Sequence, residues 1–283
     1  MCSVAYGNVG VIWYVQAPIC LRVTIHVGSE RLQRMKALKK IYREIAAWQQ
    51  DSECVPRICS AVNPFADLVV VGEAIGPDTV RCSGVNYFRL DGHLGDSGQN
   101  LEEILSRVGL TLYPGSDLRL PTGRVLEASL GGGRQTVYST DLCPEYPGHI
   151  GSKGQRAFRA PIKRARPSKR RIRDAIRHGF LDRELKIVLP KAILLLGREA
   201  YSAFYTYLLG ATTITNLKIV IDNLSSSLSS YRGAVVIPFW HPSPASLVFQ
   251  KWFKEFRSSP ANNHVIECIR TALVRNECAS SKS

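Results

Sequence analysis

Short apolar runs rich in β-forming residues recur along this chain, separated by segments whose apolar residues repeat every three or four positions. That alternation constrains the fold more than any other feature. Leu68–Val71, Thr136–Ser139, Ala192–Leu196, Leu217–Ile221 and Ala234–Pro238 read as buried strands. Leu32, Met35, Leu38, Ile41, Ile45 and Trp48 form one face of a helix. Leu101, Ile104, Leu105 and Val108 form another, stopped at Gly109, and Tyr201, Phe204, Tyr205 and Leu208 a third, stopped at Gly210. Val265, Ile269 and Leu273 follow Pro260 and Asn262 as a last helix. Strands alternating with helices predict a three-layer α/β/α domain around a central, mainly parallel sheet. Ligands of such sheets bind beyond the carboxyl ends of the strands, so the loops just after them are the ones to inspect.

Composition narrows the class. With 283 residues, 45% hydrophobic and 21% charged, the chain can bury a substantial core and is neither fibrous nor wholly disordered. The apolar stretch Val9–Val27 is broken by Gly10, Gln16, Pro18, Arg22 and His26, and reads as neither a membrane span nor a signal peptide. Residues 1–28 look β-like and form an N-terminal extension of unassigned role, leaving 29–283 as the main domain. Met35 is the only methionine after Met1, and a chain lacking residues 1–34 is expected to fold. The eight cysteines are scattered without a CxxC pair, which fits a reduced, intracellular setting in cytoplasm, nucleoid or nucleus.

The net charge is +14, and it is concentrated. Eleven Lys and Arg fall between Lys153 and Arg177, with Asp174 the one acid among them. Gly151, Gly154, Pro161 and Pro167 make the start of this 151–177 insertion an extended loop that leads into a helix. Clustered cations gain by releasing counterions from nucleic acid, so Lys169, Arg170 and Arg171 are candidate phosphate contacts. A solvated surface insertion is the alternative. A membrane surface fits poorly, because the window lacks an apolar stripe.

Three strand-end loops carry chemistry. The first is Gly72-Glu-Ala-Ile-Gly76-Pro-Asp78, a glycine-flanked turn through which backbone N–H groups approach a ligand. The second begins with Asp141, an acid at a strand tip, where a turn or capping role is the plain alternative. The third is Phe239-Trp-His241-Pro-Ser-Pro-Ala-Ser246, stiffened by two prolines with a histidine at its mouth.

Together these residues resemble the uracil-DNA glycosylase superfamily, most of all its iron–sulfur (family-four) branch. Gly72-Glu-Ala-Ile-Gly76 looks like the GEAPG motif, and His241-Pro-Ser-Pro-Ala-Ser246 like the HPSP motif. Gly84-Val-Asn-Tyr87 resembles the GxPF element, Ser97-Gly98 with Leu101–Leu105 the helix after it, and Leu194–Ala200 the LLG strand–helix turn. The order holds from about Leu32 to Ser246.

The resemblance implies a monomeric base-excision repair hydrolase that binds DNA, flips a uracil or related altered base from the stack and hydrolyses its N-glycosidic bond. His241 would stabilise negative charge on the departing base. Asp78, by a one-residue shift from the family's acid (Thr79 stands at that position), or else Glu73, would orient water. Gly72, Ala74 and Gly76 would line the base site, and Tyr87 or Phe88 would stack on the base. Pro242, Ser243 and Ser246 would grip the backbone, with Ala245 or Leu247 as a wedge.

Three departures matter. Asp141 stands where the family has Asn; a carboxylate only accepts hydrogen bonds, so altered base preference or weak uracil activity is expected. Cys54, Cys59 and Cys143 are the only candidate cluster ligands, the first two spaced by four residues and not two, so neither a cluster nor another cofactor or metal is expected. Lys169-Arg-Arg-Ile-Arg173 is similar to the KRRIH loop of a covalently trapping group, but Arg173 is no comparable nucleophile. Two rival readings remain. One is a DNA-binding member of the same fold with decayed chemistry, favoured by Asp141, Thr79 and Ile75 in place of proline. The other is an unrelated α/β enzyme acting on a nucleotide, disfavoured because no phosphate loop with Lys-Ser/Thr occurs.

Overall fold

A computed structural model of the chain describes residues 18–48, 63–74, 85–88, 92–114, 118–119, 125–126, 134–144, 167–224, 228–259 and 263–274. Its elements run α1 (Pro18–Trp48), β1 (Leu68–Ala74), α2 (Asp96–Ser106), β2 (Leu110–Thr111), β3 (Leu118–Arg119), β4 (Val125–Leu126), β5 (Gln135–Thr136) and β6 (Tyr138–Cys143). Then follow α3 (Lys169–Arg177), α4 (Phe180–Val188), β7 (Ala192–Leu196), α5 (Gly197–Tyr207), α6 (Leu217–Asp222), β8 (Ser229–Tyr231), β9 (Ala234–Phe239), α7 (Leu247–Ser258) and α8 (His264–Val274).

The central sheet has the order β6-β1-β7-β9-β8. Its first four strands are parallel and β8 is an antiparallel edge. Alternate residues of these strands bury on opposite faces, as the two-residue period of a strand requires. Leu68, Val70, Leu194, Leu196, Ile237 and Phe239 join the core formed with α2, α6, α7 and α8. Val69, Val71, Ile193, Leu195 and Val236 join the other, with side chains of α1, α3, α4 and α5. The molecule is therefore the three-layer α/β/α domain that the alternation predicts.

The sequence expectations fail in three places. Residues 18–28, read as β-like, are helical and continuous with the amphipathic stretch to Trp48; the expectation for residues 1–17 lies outside the described residues. Val and Ile favour strands only weakly, and helical continuity overrides that preference. Leu32 of the predicted apolar face is exposed, while Leu38, Ile41, Tyr42 and Ile45 are buried.

Leu217–Ile221 is not a strand but part of α6. Asn216 accepts from the Lys218 backbone N–H at 2.9 Å and caps the helix, and Leu217, Val220 and Ile221 bury at helical spacing while Ile219 is exposed. A short apolar run does not distinguish helix from strand by period alone.

The Thr136–Ser139 strand is misplaced by two residues. Gln135–Thr136 pairs with β2 outside the main sheet, and the main strand starts at Tyr138. Asp141 thus lies inside β6 rather than beyond it.

Arg34 shows how α1 is tied down. Its guanidinium donates to the carbonyls of Pro64, Ile187 and Val188 at 3.2, 2.9 and 3.1 Å and lies 4.6 Å from the centre of the Phe65 ring. It satisfies carbonyls at the carboxyl end of α4 that the helix itself leaves open.

Candidate active site at the carboxyl edge of the sheet

Three adjacent parallel strands and the one beyond them bring the candidate residues to one edge. Asp141 near the end of β6 pairs in register with Gly72 of β1, and Cys143 with Ala74. β7 ends at Leu196 and turns into α5 through Gly197. β9 ends at Phe239, two residues before His241. Parallel pairing forces all these ends to the same side.

The Asp141 carboxylate lies over Gly72. A Cβ on Gly72 would overlap Asp141 Oδ1, so only glycine permits this packing. Asp141 is 7% exposed, and its Oδ2 accepts from Asn86 Nδ2 at 3.1 Å. Asn86 is itself 9% exposed, and its Oδ1 is buried with no hydrogen-bond partner. Glu73 and Ala74, the last two residues of β1, are half-buried.

The His241 loop is braced from two sides. Gly197 has φ +90, a conformation that side chains resist, and a Cβ there would lie 3.1 Å from His241 Cβ. From α2, Asn100 Nδ2 donates to the Pro242 carbonyl at 2.9 Å. Pro242 is buried and His241 exposed. Ser243 and Ser246 turn their hydroxyls inward on the backbone. Ser243 Oγ accepts from the Ala245 N–H at 3.3 Å, and Ser246 Oγ caps α7 by accepting from Phe249 N–H at 3.4 Å. Each hydroxyl keeps its own proton to donate. Leu247 and Val248, the first residues of α7, are 84% and 48% exposed.

The two aromatic candidates separate. Phe88 is fully buried, edge-on to Tyr113, so its ring presents no open face. Tyr87 is half-buried and holds φ 72, its carbonyl accepting from Gly95 N–H at 2.8 Å. A non-glycine residue held there is strained, as residues at binding sites often are.

The three basic candidates separate too. Lys169 and Arg170 are exposed in the first turn of α3. Arg171 turns back, with its guanidinium 3.8 Å from the Trp48 ring centre and donating to Asp174 Oδ2 at 3.3 Å. Those contacts hold its guanidinium against α1. Gly76, Asp78, Cys54, Cys59 and the insertion up to residue 166 lie outside the described residues.

Cys143 is a buried thiol at the end of β6, and Ala175 occupies the buried face of α3. Among the described residues no group of three or more His, Cys, Asp or Glu is arranged to hold a metal ion. Nor, among them, is any helix long and apolar enough to cross a membrane.

Asn86, Asn100 and the pairing of Gly197 with His241 were not singled out from sequence. The signal for Asn86 was a lone amide inside the apolar Gly84–Phe88 segment, and for Asn100 a polar residue on a helix beside the site.

Residues 59–273 match the family described as the uracil DNA glycosylase superfamily. No curated protein sequence matches the chain.

Proposed function

The chain belongs to the uracil DNA glycosylase superfamily, and we propose that it is a DNA glycosylase that hydrolyses the N-glycosidic bond of a flipped base. The observation that carries this reading is the convergence of Gly72, Asp141 and His241 at one edge of the sheet, with Gly197 and Asn100 built to hold the His241 loop.

In the reaction, the C1′–N bond breaks with its electron pair leaving on the base. Water adds its oxygen to C1′ and gives up a proton that ends on the base anion, so free base and an abasic site are the products. The sugar is cationic and the base anionic at the transition state. His241 donates a hydrogen bond to the base where that negative charge grows, which is the largest kind of catalytic contribution such sites make. Glu73, half-buried at the end of β1, or Asp78 beyond it, orients the water. Tyr87 stacks on the base, in preference to the enclosed Phe88. Leu247, nearly fully exposed beside Val248, fills the gap left in the stack, and Ser243 and Ser246 donate to flanking phosphates. Lys169 and Arg170 add phosphate contacts.

Asp141 shifts the base preference. A carboxylate accepts an N–H but repels a carbonyl oxygen, so a base carrying an amino group suits it better than uracil. The protein acts as a monomer inside the cell, where its DNA is, without an iron–sulfur cluster. Three cysteines, with Cys143 enclosed in the core, make a poor four-ligand cage.

Asp141 also favours a second reading, a DNA-binding member that has lost catalysis. Labelled oligonucleotides carrying uracil, cytosine, hypoxanthine or thymine, single-stranded and paired, separate the two. Alkali-labile sites that disappear in His241→Ala support the glycosylase. Salt-sensitive binding with no such sites on any base supports the second reading.

A further inference from the structure

We propose that Asn86 is a specificity-determining residue that acts with Asp141 as one unit, selecting a base by its exocyclic amino group. The inference rests on the glycosylase reading and names the feature of the base that the site recognises.

The orientation of the Asn86 amide follows from chemistry. Its neighbour Asp141 is a carboxylate, which only accepts, so the Asn86 nitrogen must face Asp141 Oδ2 at 3.1 Å. The Asn86 oxygen is then an acceptor directed away from that bond, buried and with nothing donating to it. Buried polar atoms almost always find partners, so each exception calls for an explanation, such as a catalytic role or a partner from outside the chain. Glu184 Oε1, Tyr205 Oη and Trp252 Nε1 are other such atoms, and what distinguishes Asn86 is its bond to Asp141. This exception lies beside the residue that replaces the family's base-reading Asn, at the sheet edge where Gly72 makes room for the Asp141 carboxylate.

A carboxylate oxygen and an amide oxygen on adjoining side chains form a two-acceptor edge. An exocyclic amine has two protons, one for each acceptor. A carbonyl at the same point brings a third acceptor against two and makes no bond. The pair therefore prefers the amino edge of cytosine or another amino-bearing base to the keto edge of uracil or thymine. Asn86 also stiffens Asp141, so its loss weakens recognition at both acceptors.

The test is equilibrium binding of the full chain to duplexes carrying a 2′-fluoro nucleotide that resists hydrolysis, with cytosine or uracil as the base in a mismatch. Wild type is expected to bind the cytosine duplex about tenfold more tightly, the scale of one good hydrogen bond gained and one repulsion avoided. Asn86→Ala reduces that ratio to about threefold or less, and Asp141→Asn, which restores a donor, reverses it towards uracil. Circular dichroism melting establishes that each variant is folded. Should Asn86→Ala not fold, Asn86→Ser, which keeps a small polar side chain but loses the amide oxygen, takes its place in the same comparison. Equal binding of both bases by wild type, or an unchanged ratio in the folded variants, overturns the inference and makes the pair a structural contact. Abasic-site formation that depends on His241 reports separately on the glycosylase reading. Cleavage without base preference in binding sinks only the inference, and preference without cleavage sinks only the hydrolysis.

Discussion

Gly197 and His241 pack directly against one another across the ends of β7 and β9, with His241 Cβ 3.1 Å from where a Gly197 Cβ would stand. Two separate constraints thus fall on one glycine, the φ of +90 and the room for the histidine. Gly197→Ala is expected to cost about 1–3 kcal/mol of stability from strain and overpacking. It also shifts His241, so excision falls more than the loss of folded protein explains. Thermal melting and single-turnover rates on one preparation measure the two effects.

Asn100 reaches from α2 to the Pro242 carbonyl and fixes the loop next to His241. Asn100→Ala should lower stability by only about 1 kcal/mol, the net value of one hydrogen bond. The turnover rate is expected to drop about tenfold, since small misplacements of a catalytic group are costly. Kinetics at saturating DNA distinguish this from weaker binding, which would raise KM and leave kcat unchanged.

Asp182 on α4 ties that helix to the β8–β9 hairpin. Tyr231 Oη and Arg232 Nε donate to Oδ1, and Arg232 Nη2 and Lys186 reach Oδ2 at 3.1 and 3.2 Å. Burial pushes the carboxyl upward, but the hydrogen bonds from Arg232, Tyr231 and Lys186 outweigh it and hold Asp182 below the usual aspartate value. A depressed folded pKa stabilises the fold above the unfolded value, and the benefit disappears as pH falls through the folded one. Asp182→Asn should therefore cost about 1 kcal/mol near neutrality, given its partly exposed partners, and less in acid. Urea midpoints from pH 7 down to about 3 follow the convergence of variant and wild type.

Removal of residues 1–34 is expected to destabilise the fold, contrary to what the position of Met35 implies. The truncation takes away the Arg34 contacts to Pro64, Ile187 and Val188 and ends inside the continuous helix α1. Arg34→Ala alone should cost about 1–3 kcal/mol, because it leaves partly buried carbonyls without their charged donor. Chemical denaturation of the point variant and the truncation shows whether residues 18–33 add more.

The layered fold was legible because parallel strands buried on both faces read as continuous apolar runs, as Ala192–Leu196 and Leu68–Val71 do. Leu217–Ile221 misled for the same reason, since an apolar run capped by Asn216 looks alike in either structure until its exposed Ile219 is seen. In the candidate site, the motif residues Gly72, Asp141 and His241 could be found by spacing along the chain. Their supports could not. Asn86 reaches Asp141 across 55 residues and Asn100 reaches Pro242 across 142, and such separations leave no local pattern. The contacts of Arg171 with the Trp48 ring and Asp174 were not legible either, since a cation's neighbours depend on the packing of α3 against α1.

The most direct test is the release of free base from the best substrate of the oligonucleotide panel, counted against abasic sites under single-turnover conditions. Equal amounts of the two products are expected, with a rate about a hundredfold or more lower in folded His241→Ala. Equal rates in wild type and His241→Ala, or abasic sites without free base, would overturn the glycosylase reading.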